Sequence, residues 1–246
     1  MRIFGLVGYP LSHSFSKRYF TEKFQKEGIT DASYENFELA SIADFPSIVQ
    51  AHPSLKGVNV TIPYKQAILP FLTRLDSSAE FVGAVNVVKR LDNGELVGYN
   101  SDYYGFMESL KRFLPSGYVP QNTLILGTGG AAKAVEAALT TLGFPFENVS
   151  RQGRQKCLSY DQLNADTLHT SHLIINTTPL GMYPKTEEAP ALDYSQIGNQ
   201  HYLFDLVYNP LSTLFMQKGE SRGASVKNGL EMLQLQAEKA WEIWNS

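Results

Sequence analysis

Hydrophobic and polar positions alternate in short blocks along the 246-residue chain. Arg2–Val7 is an apolar run stopped by Gly8-Tyr9-Pro10, as expected of a short buried strand. In Lys17–Glu27, Phe20 and Phe24 form an i, i+4 apolar pair, Ser16 stands where an N-cap is needed, and Gly28 marks the end. Ser33–Leu39 reads as a second strand, and Ser41 or Asp44 opens a helix toward Gln50. Gly57–Ile62 reads as a strand that sends Val58, Val60 and Ile62 to one face and Asn59 and Thr61 to the other. Pro63 ends that strand and suits the first turn of a helix over Tyr64–Leu72, which places Lys65 near a helix N-terminus. Ala84–Arg90 and Glu95–Tyr99 flank Asp92-Asn93-Gly94, a hairpin turn, and Asn100-Ser101-Asp102 caps a helix over Tyr103–Phe113.

Pro115–Pro120 reads as the clearest boundary in the sequence, and strand and helix alternate again after it. Strands are predicted at Thr123–Leu126, Phe146–Ser150, Leu173–Asn176, Tyr202–Val207 and Ala224–Val226, with a helix over Gly130–Leu142. A doubly wound parallel sheet is the natural architecture for such a series. The last helix, Gly229–Trp244, carries Leu230, Leu233, Ala237, Trp241 and Trp244 on one stripe. The fold class is therefore α/β: an N-terminal α/β domain with a mixed sheet, then a Rossmann-type domain. The expected division is residues 1–102, completed by 229–246, for the first domain and 103–228 for the second.

Composition narrows the function. Hydrophobic residues make up 43% and charged residues 18%, which fits a globular protein rather than a disordered one. A net charge of −3 argues against a general nucleic-acid or membrane-surface binder. The single cysteine, Cys157, excludes an internal disulfide framework and a multi-cysteine metal site, and fits a reducing cytoplasm. The five histidines show no metal-ligand spacing. The apolar N-terminus is too short for a signal segment, and nothing approaches a membrane span.

Candidate chemistry sits at two places. Gly127-Thr128-Gly129-Gly130-Ala131-Ala132 is a G-x-G-x-x-A fingerprint that follows a strand and opens a helix, so amide donors and partial positive charge face a pyrophosphate. At the tip of the next strand, Ser150-Arg151-Gln152-Gly153-Arg154 lacks the acid that holds an NAD ribose. Arg151 and Arg154 are suited to a 2′-phosphate instead, which points to NADP. Elsewhere, Ser14 and Ser16 are two apart, so in an extended loop their hydroxyls point the same way. With Asn59, Thr61 and the buried amide Asn86 they make a set suited to a small polyol and unsuited to an apolar substrate. Lys65, disfavoured by the macrodipole at a helix N-terminus, is either solvated or kept for its chemistry.

Ser14-x-Ser16, Asn59-Val60-Thr61-Ile62-Pro63-x-Lys65, Gly83-Ala84-Val85-Asn86, Asn100-Ser101-Asp102 and Gly127-x-Gly129-Gly130-Ala131 occur in the order found in the shikimate dehydrogenase family. The chain resembles that family over essentially its full length, including Gly229-Leu230-x-Met232-Leu233 leading to Gln236. The resemblance implies NADPH-linked reduction of 3-dehydroshikimate to shikimate on a two-domain fold with the cleft between the domains, with Lys65 and Asp102 as the catalytic pair. It implies substrate contacts from Ser14, Ser16, Thr61, Asn86, Asp102, Tyr208 and Gln236. It also places Leu206 beside the nicotinamide and Gly229 near the cofactor. Two departures stand out: Ser150-Arg151-Gln152 replaces a common Asn-Arg-Thr, with the next basic residue offset to Arg154 or Lys156, and Ser101 replaces a common Thr. The alternatives are a quinate/shikimate dehydrogenase using NAD or NADP, and a non-catalytic NADP-binding sensor, which would tolerate loss of the Lys65–Asp102 pair. A small-molecule substrate is the expected partner, on a monomer or homodimer.

Overall fold

In the computed structural model, which describes residues 1–11, 15–151 and 157–246, the chain forms two units, Met1–Ser101 with Ala237–Ser246, and Asp102–Gln236. The first unit contains β1 (Arg2–Gly8), α1 (Phe15–Glu27), β2 (Ala32–Glu38), α2 (Phe45–Ala51), β3 (Leu55–Val60), β4 (Arg74–Leu75), α3 (Ser77–Val82), β5 (Val87–Arg90) and β6 (Leu96–Tyr99). Its sheet has the order β2-β1-β3-β5-β6-β4. β1 pairs in parallel with β2 and β3, and β5 joins β3 and β6 antiparallel. The predicted hairpin turn is present, with Gly94 at φ +88° and Leu91 N donating to Glu95 O at 2.9 Å.

The expected helix over Tyr64–Leu72 does not form. Val85 N donates to Lys65 O at 2.8 Å, so that carbonyl is withdrawn from a helical ladder, and Pro70 has no N–H to continue one. The segment turns instead, with one short 3-10 piece at Leu69–Phe71. β3 likewise stops at Val60, and Ile62 is 73% exposed rather than part of the core face. Its carbonyl accepts Tyr9 N, while Thr61 O accepts Tyr64 N.

The second unit runs through α4 (Ser101–Phe113, whose first residue belongs to the first unit), β7 (Thr123–Leu126), α5 (Gly130–Leu142), β8 (Glu147–Ser150), β9 (Cys157–Ser159), α6 (Ala165–Thr170), β10 (Leu173–Asn176), β11 (Tyr202–Asp205), α7 (Leu214–Glu220), β12 (Ser225–Lys227) and α8 (Leu230–Asn245). All strand pairs in its sheet are parallel, in the order β12-β11-β10-β7-β8-β9. The order reverses between β7 and β10, where an open α/β sheet offers its crevice to a ligand. Pro115–Pro120 is a loop inside this unit rather than its boundary.

α8 is shared between the units. Its start packs with the second, where a Cβ on Gly105 of α4 would fall 2.6 Å from Met232 O and Met232 joins the Phe106–Phe204 cluster. Its end, with Ala237, Ala240 and Trp244, joins Phe4, Phe20 and Phe24 in the first. The expected placement of the whole of 229–246 in the first domain is thus revised at Gln236. The buried line on α8 is Met232, Gln236, Ala237, Ala240 and Trp244; Leu230, Leu233 and Trp241 are only partly buried.

Candidate active site

The glycine turn between β7 and α5 is shaped for a ligand that lies against backbone. Gly127 has φ +119°, and a Cβ there would fall 2.6 Å from Thr177 Oγ1, so only glycine fits. Gly129 and Gly130 face open space, with nothing within 4 Å of a Cβ. Gly129 is the N-cap of α5 in extended backbone and has no side chain to cover the first amides of the helix. Those donors and the macrodipole point at the space that the glycines leave open. Thr128 lies exposed between them, and Ala131 follows in the first turn.

At the neighbouring tip, Ser150 ends β8 with its Oγ buried and, among the described residues, without a hydrogen-bond partner. An orphaned hydroxyl is costly unless something polar fills the position beside it. Arg151 follows and is exposed. Arg154 lies outside the described residues. The open glycine turn and the orphaned Ser150 hydroxyl fit the pyrophosphate and ribose of a dinucleotide.

Leu206 and Gly229 come together across the ends of β11 and β12. A Cβ on Gly229 would fall 2.1 Å from Leu206 O, and Gly229 N donates to Val207 O at 3.1 Å. Tyr208 follows, half-buried, and Gln236 is buried in α8 with Nε2 donating to Leu233 O at 3.0 Å.

In the first unit the polar candidates are joined by a buried hydrogen-bond chain. Ser16 lies in the first turn of α1, one residue inside the helix, so it is neither the cap nor part of an extended loop. Its hydroxyl bonds the Tyr34 phenol, and the Tyr34 hydroxyl donates to Asn59 Oδ1 at 2.7 Å. Burial pushes the Tyr34 phenol far above its ordinary value, so it stays a donor at any working pH. Asn59 Nδ2 donates to Asn86 O at 3.3 Å. Asn86 Oδ1 accepts Ser101 N at 2.7 Å, and its Nδ2 donates to Ser101 Oγ at 3.0 Å. Asn86 therefore takes up an amide at the start of α4, the helix whose first turn carries the buried carboxylate Asp102. Ser14 lies outside the described residues.

Thr61 N donates to Val7 O at 2.9 Å, and the methyl of Thr61 fills the space above Gly8, where a Cβ would fall 2.4 Å from it. Lys65 is half-buried on a pinned turn: its carbonyl accepts Val85 N, and Tyr64 beside it is buried with its hydroxyl donating to Leu39 O at 2.6 Å. With no helix beginning there, the macrodipole has no part in its placement.

Pattern alone did not single out Asn176, Thr177, Thr178, Asp205 and Thr213. Asn176 and Asp205 are buried polar residues that end the apolar runs of β10 and β11, and that position was the available signal. Among the described residues, no group of three or more His, Cys, Asp or Glu could hold a metal, and no helix is long and apolar enough to cross a membrane.

Residues 6–88 match the family described as shikimate dehydrogenase substrate binding domain. A shikimate dehydrogenase (NADP+) of Desulforamulus reducens is 34% identical, the match covering 99% of this chain and 89% of the relative. The crystal structure of a shikimate 5-dehydrogenase from Thermus thermophilus in complex with NADP(H) and shikimate superposes with a TM-score of 0.85 at 29% identity, covering 99% of this chain and 93% of that one. A quinate dehydrogenase from Corynebacterium glutamicum in complex with NAD superposes with a TM-score of 0.87 at 26% identity, with coverages of 99% and 93%.

Proposed function

The chain belongs to the shikimate dehydrogenase family, and from that premise we infer that it catalyses the reversible, NADPH-dependent reduction of 3-dehydroshikimate to shikimate. The first unit, with the Asn59–Lys65 turn, serves the substrate; the second, with the glycine turn, serves NADP(H). The bound nicotinamide supplies the hydride. Gly127, Thr128, Gly129, Gly130 and Ala131 hold the pyrophosphate, and Ser150, Arg151 and Arg154 hold the ribose end. Leu206 and Gly229 shape the nicotinamide end.

Lys65 gives its proton to the C3 oxygen in the reducing direction and takes it back in the oxidising one. Asp102 orients the substrate hydroxyls. Ser14, Ser16, Thr61, Asn86, Tyr208 and Gln236 complete the hydroxyl and carboxylate contacts. Asn59 supports them through its bonds to Tyr34 and Asn86. The observation that carries this reading is the pinned turn at Thr61–Lys65, which fixes the backbone of a half-buried lysine beside a strand end whose amide is already committed. Rigid backbone on both sides is what a proton donor needs to meet one oxygen repeatedly.

The quinate dehydrogenase with NAD shares this fold, so substrate and cofactor are tested together. Initial rates with shikimate and with quinate, each with NADP+ and with NAD+, decide the matter. The highest kcat/KM is expected for shikimate with NADP+; a higher value for quinate or for NAD+ would replace the reading. The cytoplasm is the compartment that suits the single thiol Cys157, and the protein is expected to run as a monomer or homodimer on size exclusion.

A further inference from the structure

Asp205 ends β11, is wholly buried, and has none of the roles above. Three donors from three places converge on its carboxylate. Asn176 Nδ2, at the tip of β10, donates to Oδ1 at 2.9 Å, and Val207 N donates to the same oxygen at 3.0 Å. Thr213 Oγ1, the N-cap of α7, donates to Oδ2 at 2.6 Å. A carboxylate that merely made a local turn would need only the Val207 amide. Here it ties both ends of the segment 206–212 to the neighbouring strand.

That segment carries Leu206 and Tyr208. Its other fixings run the same way: Leu206 N donates to Asn176 O at 2.9 Å, Gly229 N to Val207 O at 3.1 Å, and Tyr183 N to Asn209 O at 3.0 Å. Asn176 Oδ1 also accepts Thr178 N at 3.0 Å and Thr178 Oγ1 at 2.6 Å. Thr177, between them, is the residue that closes on Gly127. The carboxylate thus sits under the β10 tip, the Leu206–Tyr208 segment and Gly229 together.

We propose that Asp205 is a positioning residue that fixes Leu206–Tyr208 against Gly229 and the β10 tip, and so sets the nicotinamide half of the cofactor site; this rests on the roles given to Leu206, Tyr208 and Gly229 above. Its contribution is made through acceptor atoms. Asp205→Asn keeps Oδ1 for Asn176 and Val207 and turns an amide toward Thr213 Oγ1, which can accept. Asp205→Ala leaves all three donors without an acceptor.

The test uses the full-length chain, below the melting temperature of each variant. Two dissociation constants are measured by titration: one for adenosine 2′,5′-bisphosphate, which probes the glycine turn and the ribose end without the nicotinamide, and one for NADP+. Asp205→Ala is expected to bind the bisphosphate within about twofold of wild type and to lose about tenfold or more for NADP+. Asp205→Asn is expected to restore NADP+ to within about threefold. With shikimate, kcat falls alongside in Asp205→Ala, and KM for shikimate rises as well because Tyr208 moves with the released segment. Equal losses for both ligands would show a general collapse of the unit and overturn the proposal, as would an unchanged NADP+ constant. If Asp205→Ala does not fold, Thr213→Val, which removes one donor at nearly constant shape, carries the same pair of measurements: weakened NADP+ binding with intact bisphosphate binding supports the proposal, and no change in either overturns it. Because these constants need no turnover, a wild-type protein that bound NADP+ but failed to oxidise shikimate would refute the proposed reaction without deciding this point.

Discussion

A methyl group at Gly229 meets backbone that has nowhere to go. Its Cβ would lie 2.1 Å from the Leu206 carbonyl oxygen and 2.7 Å from the carbonyl carbon, where ordinary contact begins at 3.4 Å. The Leu206 amide is held by Asn176 O at 2.9 Å and Gly229 N is held by Val207 O at 3.1 Å, so either the end of β11 or the start of α8 must shift by about an ångström. Overpacking of this kind costs about 1–3 kcal/mol. If that cost falls on the geometry that seats the nicotinamide, it corresponds to roughly 5- to 150-fold in NADP+ affinity. Gly229→Ala should therefore raise KM for NADP+ by that range and lower kcat. Adenosine 2′,5′-bisphosphate should still bind within about twofold, because its seat at the glycine turn and Ser150 lies on other strands. Steady-state rates with shikimate, paired with a bisphosphate titration, separate these effects. A variant with wild-type KM and kcat for NADP+ would refute the close approach on which the reasoning stands.

Other substitutions report on the rest of the site. Asn86→Leu removes the acceptor of the Ser101 amide and the amide donor to the Ser101 hydroxyl, which should cost about 1–3 kcal/mol in urea unfolding and most of the kcat; a stable, active variant would contradict the role given to Asn86. Gly8→Ala drives a Cβ to 2.4 Å from Thr61 Cγ2, and is expected to raise KM for shikimate several-fold while leaving KM for NADP+ unchanged; kinetics with each ligand varied in turn will check it. Burial pushes the Asp205 carboxyl up to about 6, against 3.8 for the free group, so the folded chain holds a proton that the unfolded chain releases. Stability from this group is fully present below pH 3.8 and is lost as pH rises to about 6, a swing of about 3 kcal/mol. Urea titrations across that window should show a stability difference between Asp205→Asn and wild type that grows with pH and levels off above about 6; a constant difference would contradict it.

Much of the fold was legible because its signals are local. Gly28, Gly94 and Gly143 turn the chain at positive φ where the pattern ended an element, and the apolar runs at Thr123–Leu126 and Leu173–Asn176 could only be strands buried on both faces. What could not be read was decided by partners distant in sequence. The helix over Tyr64–Leu72 is locally plausible and fails because Val85, twenty residues on, takes the Lys65 carbonyl. Ser16 has the right type for a cap, yet its hydroxyl is committed to Tyr34. The site residues drawn from the glycine fingerprint fall together at one sheet end because fingerprint and strand order impose the same geometry. Asp205 escaped notice because a lone acid at a strand end looks like any turn residue until its three donors are seen.

Lys65→Met removes the ammonium while keeping an unbranched side chain of similar length on the same pinned turn, so it isolates proton transfer. Appearance of NADPH from NADP+ at saturating shikimate, followed for wild type and Lys65→Met side by side, is the direct measurement. Wild type is expected to turn over, and the variant to lose about 10²–10⁴-fold in kcat with a modest change in KM for shikimate. Failure of the wild type to form NADPH, or a near-normal kcat in the variant, would contradict the account.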